Sequence, residues 1–138
     1  RDHRRGAGRV VMGGDALAMA QVAGWLDGEG YFATTSNRSA EIMGDSIDPK
    51  PLWLCRAVLG GSVRPCGPRE NPKYRQAWRW RVSGDTARAA ARALLPYLLT
   101  KRTEAEAVAL SWAHPADTPF GAYIRARAYA SRTKEHAA

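Results

Sequence analysis

Histidine, cysteine and long apolar runs are scarce in this chain, and each scarcity removes a class of function. The two cysteines, Cys55 and Cys66, have ten residues between them. There is no second pair and no nearby histidine to complete zinc spacing, so a zinc module and a disulfide scaffold are both excluded. Free thiols, buried or half-buried, are the expectation. His3, His114 and His136 lie near the ends or in a loop-like segment and form no ligand cluster. No apolar run reaches the roughly 20 residues of a membrane span, so no membrane partner is expected. The basic beginning lacks the apolar core of a signal peptide, which points to a reducing, cytoplasmic setting.

Acid is the other shortage. Asp and Glu number 13 against 21 Lys and Arg, giving a formal charge of +8 and a pI near 10.1. Apolar residues still make up 45% of the 138, enough for one ordinary core and too few residues for two. A folded basic domain fits a polyanionic partner, or carries charge that only keeps it dispersed.

What is present organises itself around one stretch, Val22-Ala23-Gly24-Trp25-Leu26-Asp27-Gly28-Glu29-Gly30, followed by Tyr31 and Phe32. Residues 1–14, rich in Arg and Gly, read as a flexible arm that lies along phosphates or is disordered with incidental charge. Asp15 is the expected cap of a helix that is apolar nearly all round, hence buried. That helix stops in two acids interleaved with glycines. Helix C-termini carry partial negative charge, so Asp27 and Glu29 oppose the macrodipole by up to about 1 kcal/mol each. Something positive is expected there. Along one side Ala20, Gly24 and Gly28 recur every four residues, a smooth strip for close approach of a backbone. Packing on a sheet in the same subunit and packing on another helix both meet that description.

Downstream, 30–36 reads as a strand, 37–39 as a turn and 40–46 as a returning strand, with Gly44 and Asp45 poor for strand propensity. Asp48-Pro49 opens a second helix that stops at Gly60-Gly61. Residues 62–66 form an outgoing strand, and 67–76 a loop rich in Pro, Gly, Asn and basic residues. The alternation over 77–83 is the clearest in the chain: Trp78, Trp80 and Val82 on one face, Ala77, Arg79 and Arg81 on the other. Ser83 or Asp85 caps the next helix, over 86–95. Pro96 breaks it before a further helix over 97–112 with Lys101 just inside its start. A last basic helix is expected over 120–134, with Tyr123, Ile124, Ala128 and Tyr129 as its apolar stripe. This order predicts an α+β fold, an antiparallel sheet with helices on one side. The other side, carrying Tyr31, Thr35, Asn37, Arg64, Arg79 and Arg81, has nothing in the chain to cover it.

The stretch from Val22 to Gly30 resembles the nine-residue signature of the LAGLIDADG homing endonucleases, in a variant ending Asp-Gly-Glu-Gly. Two later blocks agree in order and spacing: Ile47-Asp48-Pro49 through Leu59-Gly60-Gly61-Ser62-Val63, and Trp78 to Gly84 through Leu94-Leu95-Pro96-Tyr97-Leu98 to Lys101. Together they cover most of 16–112. The resemblance implies an α-β-β-α-β-β-α fold with a saddle-like antiparallel sheet, a domain over 15–112 and a helical extension over 113–138. The extension would lengthen a dimer contact, bind flanking phosphates or cap the core. One signature copy implies a homodimer in which Ala20, Gly24 and Gly28 form the seam.

The implied activity is hydrolysis of double-stranded DNA at a long, partly palindromic site, in the service of intron or intein mobility. Glu29 stands at the signature's metal-binding acid, one copy from each subunit holding Mg²⁺ or Mn²⁺. The resemblance gives Asp27 the support of the helix end, Lys101 the water network or the scissile phosphate, and Ser46 a place at the water shell. A β-ribbon in the major groove would read bases through Tyr31, Thr35, Asn37, Arg64, Arg79 and Arg81, with Arg69, Lys73 and Arg75 as loop contacts. Glu41, Met43 and Asp45 share that face. Acids against DNA are costly unless they accept from cytosine or meet a cation. A non-cleaving DNA-binding regulator and an RNA-splicing maturase are the other activities found on this fold.

Overall fold

The computed structural model describes residues 13–34, 39–67 and 75–111, together with 119, 122–123, 126–127 and 129–130 in helical conformation near the end. The element order is α1 (Gly13–Glu29), β1 (Gly30–Thr34), β2 (Ala40–Ser46), α2 (Lys50–Leu59), β3 (Ser62–Cys66), β4 (Ala77–Ser83), α3 (Gly84–Leu94), a 3₁₀ turn (Leu95–Tyr97) and α4 (Arg102–Leu110). The sheet is fully antiparallel, in the order β1-β2-β4-β3. The sequence expectation of an α+β fold with two hairpin-like pairs and helices between them holds.

Alternation explains the two faces. Phe32, Ile42, Trp80 and Val82 are all buried and meet Val22, Leu26, Leu52, Leu94 and Leu98 from the helices and the 98–101 segment. Their outward neighbours Tyr31, Glu41, Met43, Asp45, Arg79 and Arg81 remain at least partly exposed. No described element covers that outer face. Trp80 is fully buried because its indole N–H has a partner, the Gly60 carbonyl at 2.8 Å. Gly61, at φ +94°, passes so close beneath that a Cβ there would stand 2.5 Å from the Arg81 carbonyl oxygen.

Gly44, a poor strand former, has a packing reason. A Cβ at this position would meet the Trp25 ring at 2.5 Å, so the glycine lets α1 lie against β2. The strands β1 and β3 are the sheet's two edges, each five residues long, and Pro65 lies within β3 opposite Trp78.

Some helix boundaries differ from the sequence expectation. The first helix starts at Gly13, so Asp15 sits in its first turn and is not its cap. Asp48 does contribute at the start of α2, its Oδ1 accepting from the Lys50 N–H at 3.0 Å. The single helix expected over 97–112 is instead a 3₁₀ turn, a non-helical segment and α4, with Lys101 at the helix N-cap. The arm expected over 1–14 lies outside the described residues except for Gly13 and Gly14, as do Ile124 and Ala128 of the final stripe. Tyr123 and Tyr129 of that stripe are exposed, at 56% and 65%. Both cysteines are free thiols, Cys55 buried and Cys66 half-buried, and burial pushes the Cys55 thiol up to about 12.

Candidate functional site

The end of α1 sends its two acids to different places. Gly30 follows Glu29 so tightly that a Cβ there would lie 2.7 Å from the Leu26 carbonyl oxygen, which fixes a sharp exit into β1. Asp27, half-buried, turns toward the segment before α4. Its Oδ2 accepts from the Leu99 N–H at 2.7 Å, and its Oδ1 accepts from the N–H groups of Thr100 and Lys101 at 3.0 Å each. Lys101 answers in the other direction, its Nζ donating to the Asp27 carbonyl oxygen at 2.9 Å. The positive group expected at this helix end is therefore Lys101, whose ammonium meets one of the terminal carbonyls. Three N–H groups captured by Asp27 also explain why the chain is not helical over 98–100.

Glu29 remains exposed. It lines an open cleft of about 360 Å³ with Tyr31, Met43, Gly44, Asp45 and Arg79. The cleft thus joins the end of α1 to the outer face of the sheet. Among the described residues no three His, Cys, Asp or Glu side chains converge as a metal centre. One exposed carboxylate is a hard oxygen donor suited to Mg²⁺ or Mn²⁺ and fits one share of a site completed by other ligands.

Across the sheet, the outward side chains fall into rows. Tyr31, Met43, Arg81 and Ser62 stand in one row, and Asp45, Arg79 and Arg64 in the next. The two central arginines are paired. Arg79 donates from Nε to Asp45 Oδ1 at 2.7 Å and from Nη2 to Oδ2 at 2.9 Å. Arg81 reaches Glu41 Oε1 with both Nε and Nη2 at 2.9 Å. The cation that these acids needed is supplied by the neighbouring strand. Hydrogen bonding from Arg79, and then its charge, holds the Asp45 carboxyl below its usual value against a partial burial that opposes this, and the same contact raises Arg79. The Cys66 thiol is 3.7 Å from Asp45 Oδ2.

Of the other expected site residues, Arg64 and Arg75 are exposed and have no ion-pair partner among the described residues, and Ser46 is half-buried at the end of β2. Thr35, Asn37, Arg69 and Lys73 lie outside the described residues. Ala20, Gly24 and Gly28 form an exposed strip on α1, and a Cβ at either glycine would meet nothing within 4 Å among the described residues. Leu17, 66% exposed, extends the strip by one turn. The acid–arginine pairs are what sequence reasoning missed. Their signal was the same-face placement of Glu41 and Asp45, but only the register of β2 against β4 turns it into contacts.

The chain's fold matches solved structures of the homing endonuclease I-CvuI. One, in complex with its target in the presence of calcium, superposes with a TM-score of 0.60 at 18% identity, covering 83% of this chain and 82% of that one. Another, bound to the I-CreI target with magnesium and with the DNA not cleaved, gives 0.57 at 21% identity, covering 76% and 71%. No protein-family model and no curated protein sequence matches the chain.

Proposed function

We propose that the chain is a divalent-metal-dependent endonuclease that cuts double-stranded DNA as a homodimer at a partly palindromic site. One observation carries the reading: the end of α1 places an exposed acid, Glu29, in the same cleft as the outer face of an uncovered antiparallel sheet. A sheet of this kind fits the major groove. The likeness to DNA-bound homing endonucleases and the signature from Val22 to Gly30 support the same conclusion.

In this reading each subunit lays its sheet on half of the site. Arg64, Arg79, Arg81 and Tyr31 contact the duplex, with Arg75 and the undescribed Thr35, Asn37, Arg69 and Lys73 beside them. The exposed strip of Ala20, Gly24 and Gly28 meets its copy in the partner, bringing two Glu29 carboxylates together. These hold Mg²⁺ or Mn²⁺, which supplies water activation and neutralises charge on the phosphate and the leaving 3′ oxygen. Asp27 fixes the 99–101 segment. Lys101 stands at the same helix end, with two ammonium protons beyond the one given to the Asp27 carbonyl to reach water or phosphate. Ser46 offers a hydroxyl to the nearby water. The protein works inside the cell, associated with DNA, and the residues over 1–14 track flanking phosphates.

The test is cleavage of a randomised duplex library with Mg²⁺ by the native chain and by Glu29→Gln. Native cutting and a loss of at least a hundredfold in the variant, with duplex binding retained, is the expected result. Cutting that survives the substitution removes Glu29 from its role. A second reading, a binder that does not cut, draws on the neutralised arginines of the sheet. It predicts salt-dependent duplex binding with no cleavage of any sequence.

A further inference from the structure

The paired arginines differ from a generic basic surface in which of their edges is engaged. In Arg79 the side-on edge, Nε with one Nη2 proton, is taken by the two oxygens of Asp45. What remains is the end-on edge, Nη1 with the second Nη2 proton, on a side chain 43% exposed. Two parallel donors of this kind match the O6 and N7 acceptors that guanine presents in the major groove. Adenine sets a donor at one of those positions, cytosine offers a donor, and thymine has one acceptor beside a methyl group.

We infer that Asp45 and Arg79 act as one guanine-reading unit, in which the carboxylate locks the guanidinium and the guanidinium contacts the base. The inference rests on the duplex-binding reading above and names the base which that face selects. Asp45 has two effects here. It removes the rotamer freedom that a long side chain otherwise loses on binding, so the fork meets the base already oriented. It also cancels the charge, so that the pair adds little to sequence-independent attraction and nearly all its contribution is to base choice. Arg64, directly opposite Arg79 on β3, has no ion-pair partner among the described residues and is the natural phosphate contact of this row. Because Asp45 and Arg79 line the cleft with Glu29, the guanine lies close to the phosphate that is cut.

The test is affinity selection from a randomised duplex library by the full native chain in EDTA, repeated for Arg79→Lys, Arg79→Ala and Asp45→Asn. The native chain is expected to enrich guanine at one position in each half-site. Both Arg79 variants lose that preference, about tenfold, at that position alone. Arg79→Lys keeps the charge and therefore the native salt dependence. Asp45→Asn weakens the preference several-fold while tightening binding to unselected duplex and steepening the salt slope by about one. Bound duplex with the same base preferences in all four proteins overturns the unit and leaves the duplex-binding reading standing. A native chain that retains no duplex of any sequence overturns both.

Discussion

Asp27 shows how much one side chain determines at the residue scale. Its carboxylate accepts three backbone N–H groups from a segment more than 70 residues later in sequence. Asp27→Asn leaves one acceptor oxygen and no charge, so a loss of about 1–3 kcal/mol is expected, read as a lower denaturant midpoint with an unchanged slope. Glu104 is the opposite case. It is 1% exposed in the first turn of α4, and neither carboxylate oxygen has a hydrogen-bond partner among the described residues. A buried polar group without partners opposes folding, so Glu104→Met is expected to stabilise by about 1–3 kcal/mol in the same measurement.

The Asp45 and Arg79 pair also has a defined pH behaviour. Its carboxyl lies below the ordinary value of 3.8, so the pair's contribution is complete above pH 3.8 and is lost as pH falls through the lowered value. Both side chains are more than two-fifths exposed, which keeps that contribution small. Any guanine preference that depends on the pair is expected to be constant from pH 5 to pH 8 in repeated selections.

Among the elements, α1 carries the sharpest contrast between two kinds of glycine. Among the described residues Gly24 and Gly28 have open space where a Cβ would go, whereas Gly44, facing α1 from β2, has the Trp25 ring at 2.5 Å. Gly44→Ala is therefore expected to cost about 1–3 kcal/mol by overpacking. Gly24→Ala is expected to stabilise the isolated subunit by up to about 1 kcal/mol through helix propensity, and to weaken the proposed dimer. Thermal melts alongside concentration-dependent light scattering separate the two effects. The element order was legible because local signals mark it: the Asp48-Pro49 start, the Gly60-Gly61 stop and the alternation from Ala77 to Ser83. The break before α4 was not, because the groups that stop the helix bond to Asp27, far away in sequence. The acid–arginine pairs were hidden for the same reason. They depend on β2 meeting β4 across α2 and β3, a non-local register that no local pattern encodes.

On the scale of the whole molecule, the charge of +8 is unevenly effective. Two of the sheet's arginines are neutralised in place, which in the proposed duplex complex leaves sequence-independent attraction to groups such as Arg64 and Arg75. In the proposed dimer, light scattering is expected to give about twice the 15.1 kDa chain mass, with the equilibrium moved toward single chains by bulk at Gly24. The two free margins of the sheet bear on how copies do not meet. Pro65 takes one N–H donor out of the β3 margin, and both margins are only five residues long. Strand-by-strand extension from one copy to the next is thus disfavoured at the β3 edge. In the proposed dimer, association is expected to close at a pair, which light scattering checks as the absence of species above twice the chain mass.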